Sequence, residues 1–191
     1  MAALAAELAA AQTKLWVETL VVGLNLCPFA KRELVKDRIR FQVSAATTEE
    51  QLIADLEGEL ILLGDRPAIE TTLLIHPWVL TDFFSYHRFL PWANRLLTQL
   101  GLKGAYQIAS FHPQYQFSHS ADEDVANYTN RSPHPMLHLI REASLARAIA
   151  NYPDVEGIPE RNIATLERLG KDRVLALLGQ CVGGDWGEAG G

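Results

Sequence analysis

The sequence predicts an α/β fold: a small, mainly parallel sheet of at least three strands, flanked by helices, with a helical C-terminal section. Three short apolar segments have the length and composition of strands: residues 39–44 (IRFQVS), 71–77 (TTLLIHP) and 105–111 (AYQIASF). Segments with helical periodicity separate them, and helical crossovers of this length join parallel strands. The length of 191 residues and the 48% apolar content fit one domain, which we place at residues 1–180.

Helical segments are recognised by apolar spacing and by residues that begin or end helices. Thr47 and Glu50 form a capping-box pattern ahead of a leucine stripe. Pro91 lies inside a helical pattern and should kink or restart it. Pro135 suits the first position of another helix. The predicted helices span residues 3–24, 47–64, 81–100, 135–151, 159–170 and 171–178.

Charge and composition exclude several classes of function. The net charge of −6 and the lack of a basic run give no electrostatic support for nucleic-acid binding. No stretch of eighteen uncharged apolar residues exists, and the N-terminus lacks a signal-peptide pattern, so no membrane association is expected. Two cysteines are too few for a disulfide framework and indicate a cytoplasmic location. The glycine-rich residues 181–191 are predicted to be a disordered tail.

Histidines follow two of the predicted strands, each directly before a proline. His76 and His112 therefore lie at the carboxyl ends of strands, as does Ser44. In an open parallel sheet these ends meet at one edge, where ligands bind. We expect the two imidazoles to lie near each other and to contribute to a site. The alternative is that each His-Pro pair only terminates a strand, with its histidine hydrogen-bonded at the surface.

A polar stretch, residues 127–142 (NYTNRSPHPMLHLIRE), precedes and enters the helix predicted after Pro135. Helical spacing would put His138, Arg141 and Glu142 on one face. Arginines and amides near a helix N-terminus form an anion site. We therefore expect four residues to bind an anionic group: Asn127, Asn130, Arg131 and Arg141. The alternative is a structural network of ion pairs and capped turns.

Cys27 is the candidate nucleophile. Pro28 can open a short helix with Cys27 as its N-cap and with Lys31 and Arg32 in the following turn. The helix end and the two cations would lower the thiol pKa by roughly one unit from about 8.5. The alternative is a packed, unreactive thiol, since cysteine is among the most often buried residue types.

A metal site is a further alternative. Four histidines, His76, His112, His119 and His138, could combine with acidic loop residues to bind a divalent cation. The sequence contains none of the close-spaced metal-binding patterns, so we assign no metal ligands and no cofactor.

Five segments resemble those of the bacterial family called domain of unknown function 1415. In order they are GLNLCPFAKR, ETTLLIHP, GAYQIASFHPQYQF, NYTNRSPHPMLHLIRE and IPERNIATLERLG. The similarity covers roughly residues 13–170. It implies that the candidate residues lie in the family's characteristic segments, but it implies no reaction.

These observations predict an enzyme that acts on a small anionic or polar metabolite. Cys27 would be the nucleophile, and His112 or His138 would move a proton, because histidine titrates near neutral pH. His76 and the four anion-binding residues would line the pocket. The alternative is a non-catalytic module that senses or carries a small ligand and needs no reactive thiol.

Overall fold

A four-stranded mixed sheet forms the centre of the protein, whose computed structural model describes residues 2–186. The strands are β1 (Ile39–Val43), β2 (Thr71–Ile75), β3 (Tyr106–Phe111) and β4 (Met136–Arg141). Their order across the sheet is β1-β2-β4-β3. Only β1 and β2 are parallel neighbours, and β4 is antiparallel to both β2 and β3. The α/β class is confirmed, whereas a mainly parallel sheet is not.

The strand β4 replaces the first half of the helix that was predicted to begin at Pro135. Along β4 the side chains alternate between the two faces of the sheet, and Leu137 and Leu139 are buried on one face. Met136 is buried on the other. A central strand buried on both faces has an almost continuous apolar run, which periodicity alone does not distinguish from a buried helix. The prediction that His138 and Arg141 share a helix face is therefore wrong, because they point to opposite faces of the sheet.

Helices cover both faces of the sheet. They are α1 (Ala2–Trp16), α2 (Ala30–Val35), α3 (Glu49–Asp65), α4 (Phe83–Gln99), α5 (Glu142–Ala150), α6 (Ile158–Leu169) and α7 (Lys171–Val182). A π-helical segment, Val17–Val22, continues α1, and a 3₁₀ turn, Val125–Thr129, interrupts the long loop after β3.

Local sequence signals account for several helix boundaries. The cap of α3 is Thr48, one residue after the predicted position, and its hydroxyl accepts the N–H of Gln51. Asp82 caps α4 by accepting the N–H of Ser85, and α4 continues through Pro91. The helix α7 extends to Val182, beyond its predicted end. Residues 187–191 of the predicted tail lie outside the described part of the chain.

The sheet separates two apolar cores. On one face, α3 and α4 pack against Leu74, Leu137 and Leu139. On the other, α1, the π-helical segment, α6 and α7 form a second core, which contains Leu73, Ile75 and Met136. Between residues 2 and 186 no helix is both long and apolar enough to cross a membrane.

Candidate functional site

A cavity of about 770 Å³ lies on the side of the sheet that carries the second core, between the strands and the segments that cover them. Its floor is formed by β2, β3 and β4, through residues that include Leu73, Ala109 and His138. The π-helical segment and the loop around Cys27 form its roof, and α5 closes one side. Because Cys27 and His138 come from distant parts of the chain, we call this space the Cys27–His138 cavity.

The covering segments are held in place without filling the cavity. Gly23 follows the π-helical segment, and a Cβ at that position would overlap the carbonyl oxygen of Thr19. The loop that follows is tied down by Asn162 of α6, whose side-chain amide donates to the carbonyl oxygen of Leu26 over 2.7 Å. Above the sheet, α5 has no buried residue, although Leu145 and Ala148 line the cavity. The apolar side of α5 therefore faces a space rather than packed side chains.

His138 is held by one side-chain hydrogen bond on the cavity floor. Its Nε2 lies 2.7 Å from the hydroxyl oxygen of Thr71. The same hydroxyl donates to the carbonyl oxygen of Leu139 over 2.6 Å. Within the described residues no group is hydrogen-bonded to Nδ1 of His138. Burial lowers the pKa of His138 to about 4, so the imidazole is neutral at pH 7.

Cys27 lies on the roof of the same cavity, but its environment differs from the expected one. The helix α2 begins at Ala30 with Phe29 as its N-cap, so Cys27 is not the cap residue. Burial raises the pKa of the Cys27 thiol, and the backbone N–H groups of Phe29 and Ala30 offset this only in part. The predicted lowering of this pKa is therefore wrong, because the cost of burying a thiolate exceeds the effect of these dipoles.

A charged group borders the cavity where β1 and β2 begin. Arg38 forms an ion pair with Glu33 at 3.1 Å and a second one with Glu70. The other carboxylate oxygen of Glu70, Oε1, is buried and has no hydrogen-bond partner in the described chain. Thr71, Arg38 and Glu70 are not among the candidate residues that the sequence predicts. Glu70 and Thr71 stand directly before and at the start of an apolar strand, and that position was the only available signal.

His76 and His112 lie together at one edge of the sheet, as their positions after β2 and β3 predict. The two strands point in the same direction because each is antiparallel to β4. Both rings contact Tyr86, with centroid distances of 5.8 and 5.0 Å. Nδ1 of His76 is hydrogen-bonded to the carbonyl oxygen of Val79, and Nε2 of His112 is hydrogen-bonded to the carbonyl oxygen of Leu80. Neither histidine lines the Cys27–His138 cavity.

The asparagines and Arg131 hold the loop that joins β3 to β4. The side-chain amide of Asn127 accepts the N–H of Phe117 and donates to the carbonyl of Ala121. Asn130 donates to the carbonyl oxygen of Ser110 over 3.1 Å.

Arg131 is buried, with its guanidinium 4.4 Å from the ring centroid of Tyr128. It donates to the carbonyl oxygen of Tyr115 and forms an ion pair with Asp122 at 2.7 Å. It also borders an open groove of about 920 Å³ beside the end of α7. Its Nε and Nη2 groups are thus engaged by the protein itself.

Arg141 closes the end of α3 on the other face of the sheet. Its guanidinium donates to the carbonyl oxygens of Leu63 and Ile69 and to the hydroxyl of Tyr106. Arg141 is among the residues that border the cavity, but its guanidinium binds the carbonyl oxygen of Leu63 in α3. Arg141 is the last residue of β4, whose six residues span about 20 Å, whereas Arg131 precedes the strand and pairs with Asp122 in the loop before it. The structure therefore does not bring the two guanidinium groups to one anion.

The eight candidate residues thus form three separate groups and do not line one common pocket. Cys27 and His138 share a cavity, with Arg141 at its border. His76 and His112 share an edge of the sheet, and Asn127, Asn130 and Arg131 hold a loop. Among residues 2–186 no three His, Cys, Asp or Glu side chains are arranged to bind a metal ion.

The structure defines a mixed α/β protein with a cavity between its sheet and its N-terminal and α5 segments. The chain belongs to the DUF1415 family of proteins of unknown function, whose family model matches residues 8–176. The match includes every residue that forms the sheet and the cavity. No curated protein and no solved structure matches the chain significantly.

Proposed function

We propose that the protein binds a small, largely apolar organic molecule in the Cys27–His138 cavity. The observation that carries this proposal is the lining itself: residues from the sheet, the π-helical segment and α5 line a cavity of about 770 Å³. Ligand pockets in proteins have volumes of about 300–1,000 Å³ and combine apolar walls with a few polar groups. Here the polar groups include a thiol and a neutral imidazole.

The polar contacts of the site support an uncharged rather than an anionic ligand. All four residues that the sequence suggested for anion binding donate to groups of the protein itself. Breaking such bonds to bind an anion would leave buried acceptors unpaired, which costs about 1–3 kcal/mol each. The ligand is therefore proposed to bind through apolar contacts and a polar contact with His138.

Binding can be tested with 1-octanol as a probe. A ligand that binds only the folded state stabilises it by about 2.7 kcal/mol at a hundredfold excess over its Kd, so the melting temperature should rise with probe concentration. Ala109→Leu should abolish this rise, because the added side chain enters the cavity beside His138, its partner across the β3–β4 pair. Ala54→Leu, at an exposed position of α3, is the matched control. An equal rise for the parent and for Ala109→Leu would contradict the proposal.

A second candidate is an enzyme that uses the same cavity. The observation in its favour is that a thiol and an imidazole with an unpaired nitrogen line one space. The thiol sulfur would form a bond to the carbon of a carbonyl group in the ligand, and the electron pair of the broken C=O π bond would move to the carbonyl oxygen. Nδ1 of His138 would accept the thiol proton and pass it to that oxygen. Cys27→Ser separates the candidates: it should keep binding in both, whereas turnover of a substrate would be lost only if the protein is an enzyme.

We place the protein in the cytoplasm, and its two free thiols support a reducing compartment.

A further inference from the structure

We infer that the ligand of the Cys27–His138 cavity presents a hydrogen-bond donor, such as a hydroxyl or an amide N–H, to Nδ1 of His138. A carboxylate would not bind at this position. This inference rests on the proposed function and specifies the chemical class of the ligand.

The protons in the chain of hydrogen bonds on the cavity floor determine which ring nitrogen of His138 carries the N–H and which is bare. The hydroxyl of Thr71 has one proton, and that proton is donated to the carbonyl oxygen of Leu139 at 2.6 Å. A carbonyl oxygen has no proton to give in return, so this direction is fixed. At the 2.7 Å contact with His138, the Thr71 oxygen must then accept, and Nε2 must donate.

A neutral imidazole has one N–H group and one bare nitrogen. With the proton on Nε2, the bare nitrogen of His138 is Nδ1, which has no hydrogen-bond partner among the described residues. Nδ1 can therefore accept a hydrogen bond but cannot donate one, and His138 forms part of the cavity floor. A ligand hydroxyl or N–H can donate a hydrogen bond to Nδ1. A carboxylate has only acceptor oxygens, whose lone pairs would repel the lone pair of Nδ1.

Glu70 lies on the same side of the cavity, but its unpaired oxygen is buried away from a ligand. Glu70 directly precedes Thr71 in the chain, and its buried Oε1 has no hydrogen-bond partner in the described part. Near it, Glu33 pairs with both Arg32 and Arg38, and Glu70 pairs with Arg38, so two cations balance the two carboxylates. Glu70 therefore adds no acceptor that a ligand can reach, and the preference for donor groups depends on Nδ1 of His138.

The cations that border the cavity are unsuited to an ion pair at this depth. Arg32 and Arg147 are both exposed, so an anion that bound them would stay at the mouth in contact with water. The other two, Arg38 and Arg141, are already engaged by carboxylates and by backbone carbonyl oxygens of the protein. An alcohol and a carboxylate of equal chain length therefore distinguish the two modes of binding.

The test compares 1-octanol with octanoate at pH 7, by isothermal titration of the full chain. We expect the alcohol to bind at least about tenfold more tightly, because octanoate leaves Nδ1 unpaired and must lose its hydration. Thr71→Val removes the hydroxyl that fixes the proton on Nε2 and should reduce this preference severalfold. Thr71→Ser keeps the hydroxyl and is the matched control. His138→Phe keeps an apolar wall and should reduce the preference to the part that comes from the hydration lost by octanoate.

A direct readout of the proton position comes from ¹⁵N NMR of the His138 ring, which distinguishes a protonated from a bare nitrogen. The inference requires a bare Nδ1 in the free protein, and a shift of the Nδ1 signal on addition of the alcohol. If octanoate binds as tightly as octanol and Ala109→Leu blocks both, the ligand class is wrong while binding in the cavity stands. If neither probe binds the parent, both the ligand class and the proposed function fail.

Discussion

Acid should destabilise this protein well above the pH at which carboxylates titrate, because several of its histidines are buried as neutral rings. Burial lowers the pKa of His76, His112, His134 and His138 to about 4. In the unfolded chain these side chains titrate near 6.5. Between the two values the unfolded state binds more protons than the folded state. The free energy of unfolding is therefore fully retained above about pH 6.5 and decreases as the pH falls toward 4.

The magnitude can be worked out for His76, which is completely buried. With a pKa of 6.5 unfolded and about 4 folded, its contribution to stability should fall by about 2 kcal/mol between pH 7 and pH 5. His76→Asn removes the titrating ring and keeps a side-chain N–H that can donate to the carbonyl oxygen of Val79, the partner of Nδ1.

Urea unfolding at pH 7 and pH 5 measures this contribution directly. Between pH 7 and pH 5 the parent should lose about 2 kcal/mol more of its free energy of unfolding than His76→Asn loses. His119→Asn, at an exposed loop position, is the matched control and should follow the parent. If His76→Asn and the parent lose the same stability between the two pH values, His76 is not buried as a neutral ring.

Three further predictions concern the cavity and its surroundings. Arg141→Met should lower the free energy of unfolding by about 3 kcal/mol in urea, because it leaves the carbonyl oxygens of Leu63, in the last turn of α3, and of Ile69 without their donor. In a Cys181→Ser background, Cys27 should react with a thiol reagent at pH 7 more slowly than a free cysteine, because burial raises its pKa; a faster rate would indicate an activated thiolate. Ala109→Leu should cost less stability than Ala93→Leu, which overpacks a fully buried core position and should cost about 1–3 kcal/mol; equal losses would mean that the cavity is not open to a side chain.

Much of the fold could be predicted from local patterns. The strands β1, β2 and β3 lie where short apolar runs end at polar or His-Pro positions, and α3 follows its predicted capping signal within one residue. The exception is β4, because Met136–Ile140 is apolar at nearly every position and Pro135 also suits a helix start. That one segment decides whether the sheet is parallel or mixed, so the topology required three-dimensional information.

The candidate site was only partly predictable, for a related reason. His138 and Cys27 stood out as reactive residue types, but only the alternation along β4 and the path of the loop after Gly23 bring them to one cavity. The arginines and asparagines stood out equally, yet Arg131 and Arg141 bind carbonyl and carboxylate groups of the protein. A sequence shows which side chains can bind an anion, but not which ones are already engaged by backbone groups far away in the chain.

The most direct test of binding in the Cys27–His138 cavity is a methyl NMR titration of the protein with 1-octanol. Saturable shifts are expected for methyl groups that line the cavity, including those of Val17, Val21, Leu73 and Ile140, and these shifts should be lost in Ala109→Leu. Methyl groups of the α3–α4 core, such as Leu56 and Leu97, should remain unchanged. Shifts that appear only outside the cavity, or that persist unaltered in Ala109→Leu, would contradict the account.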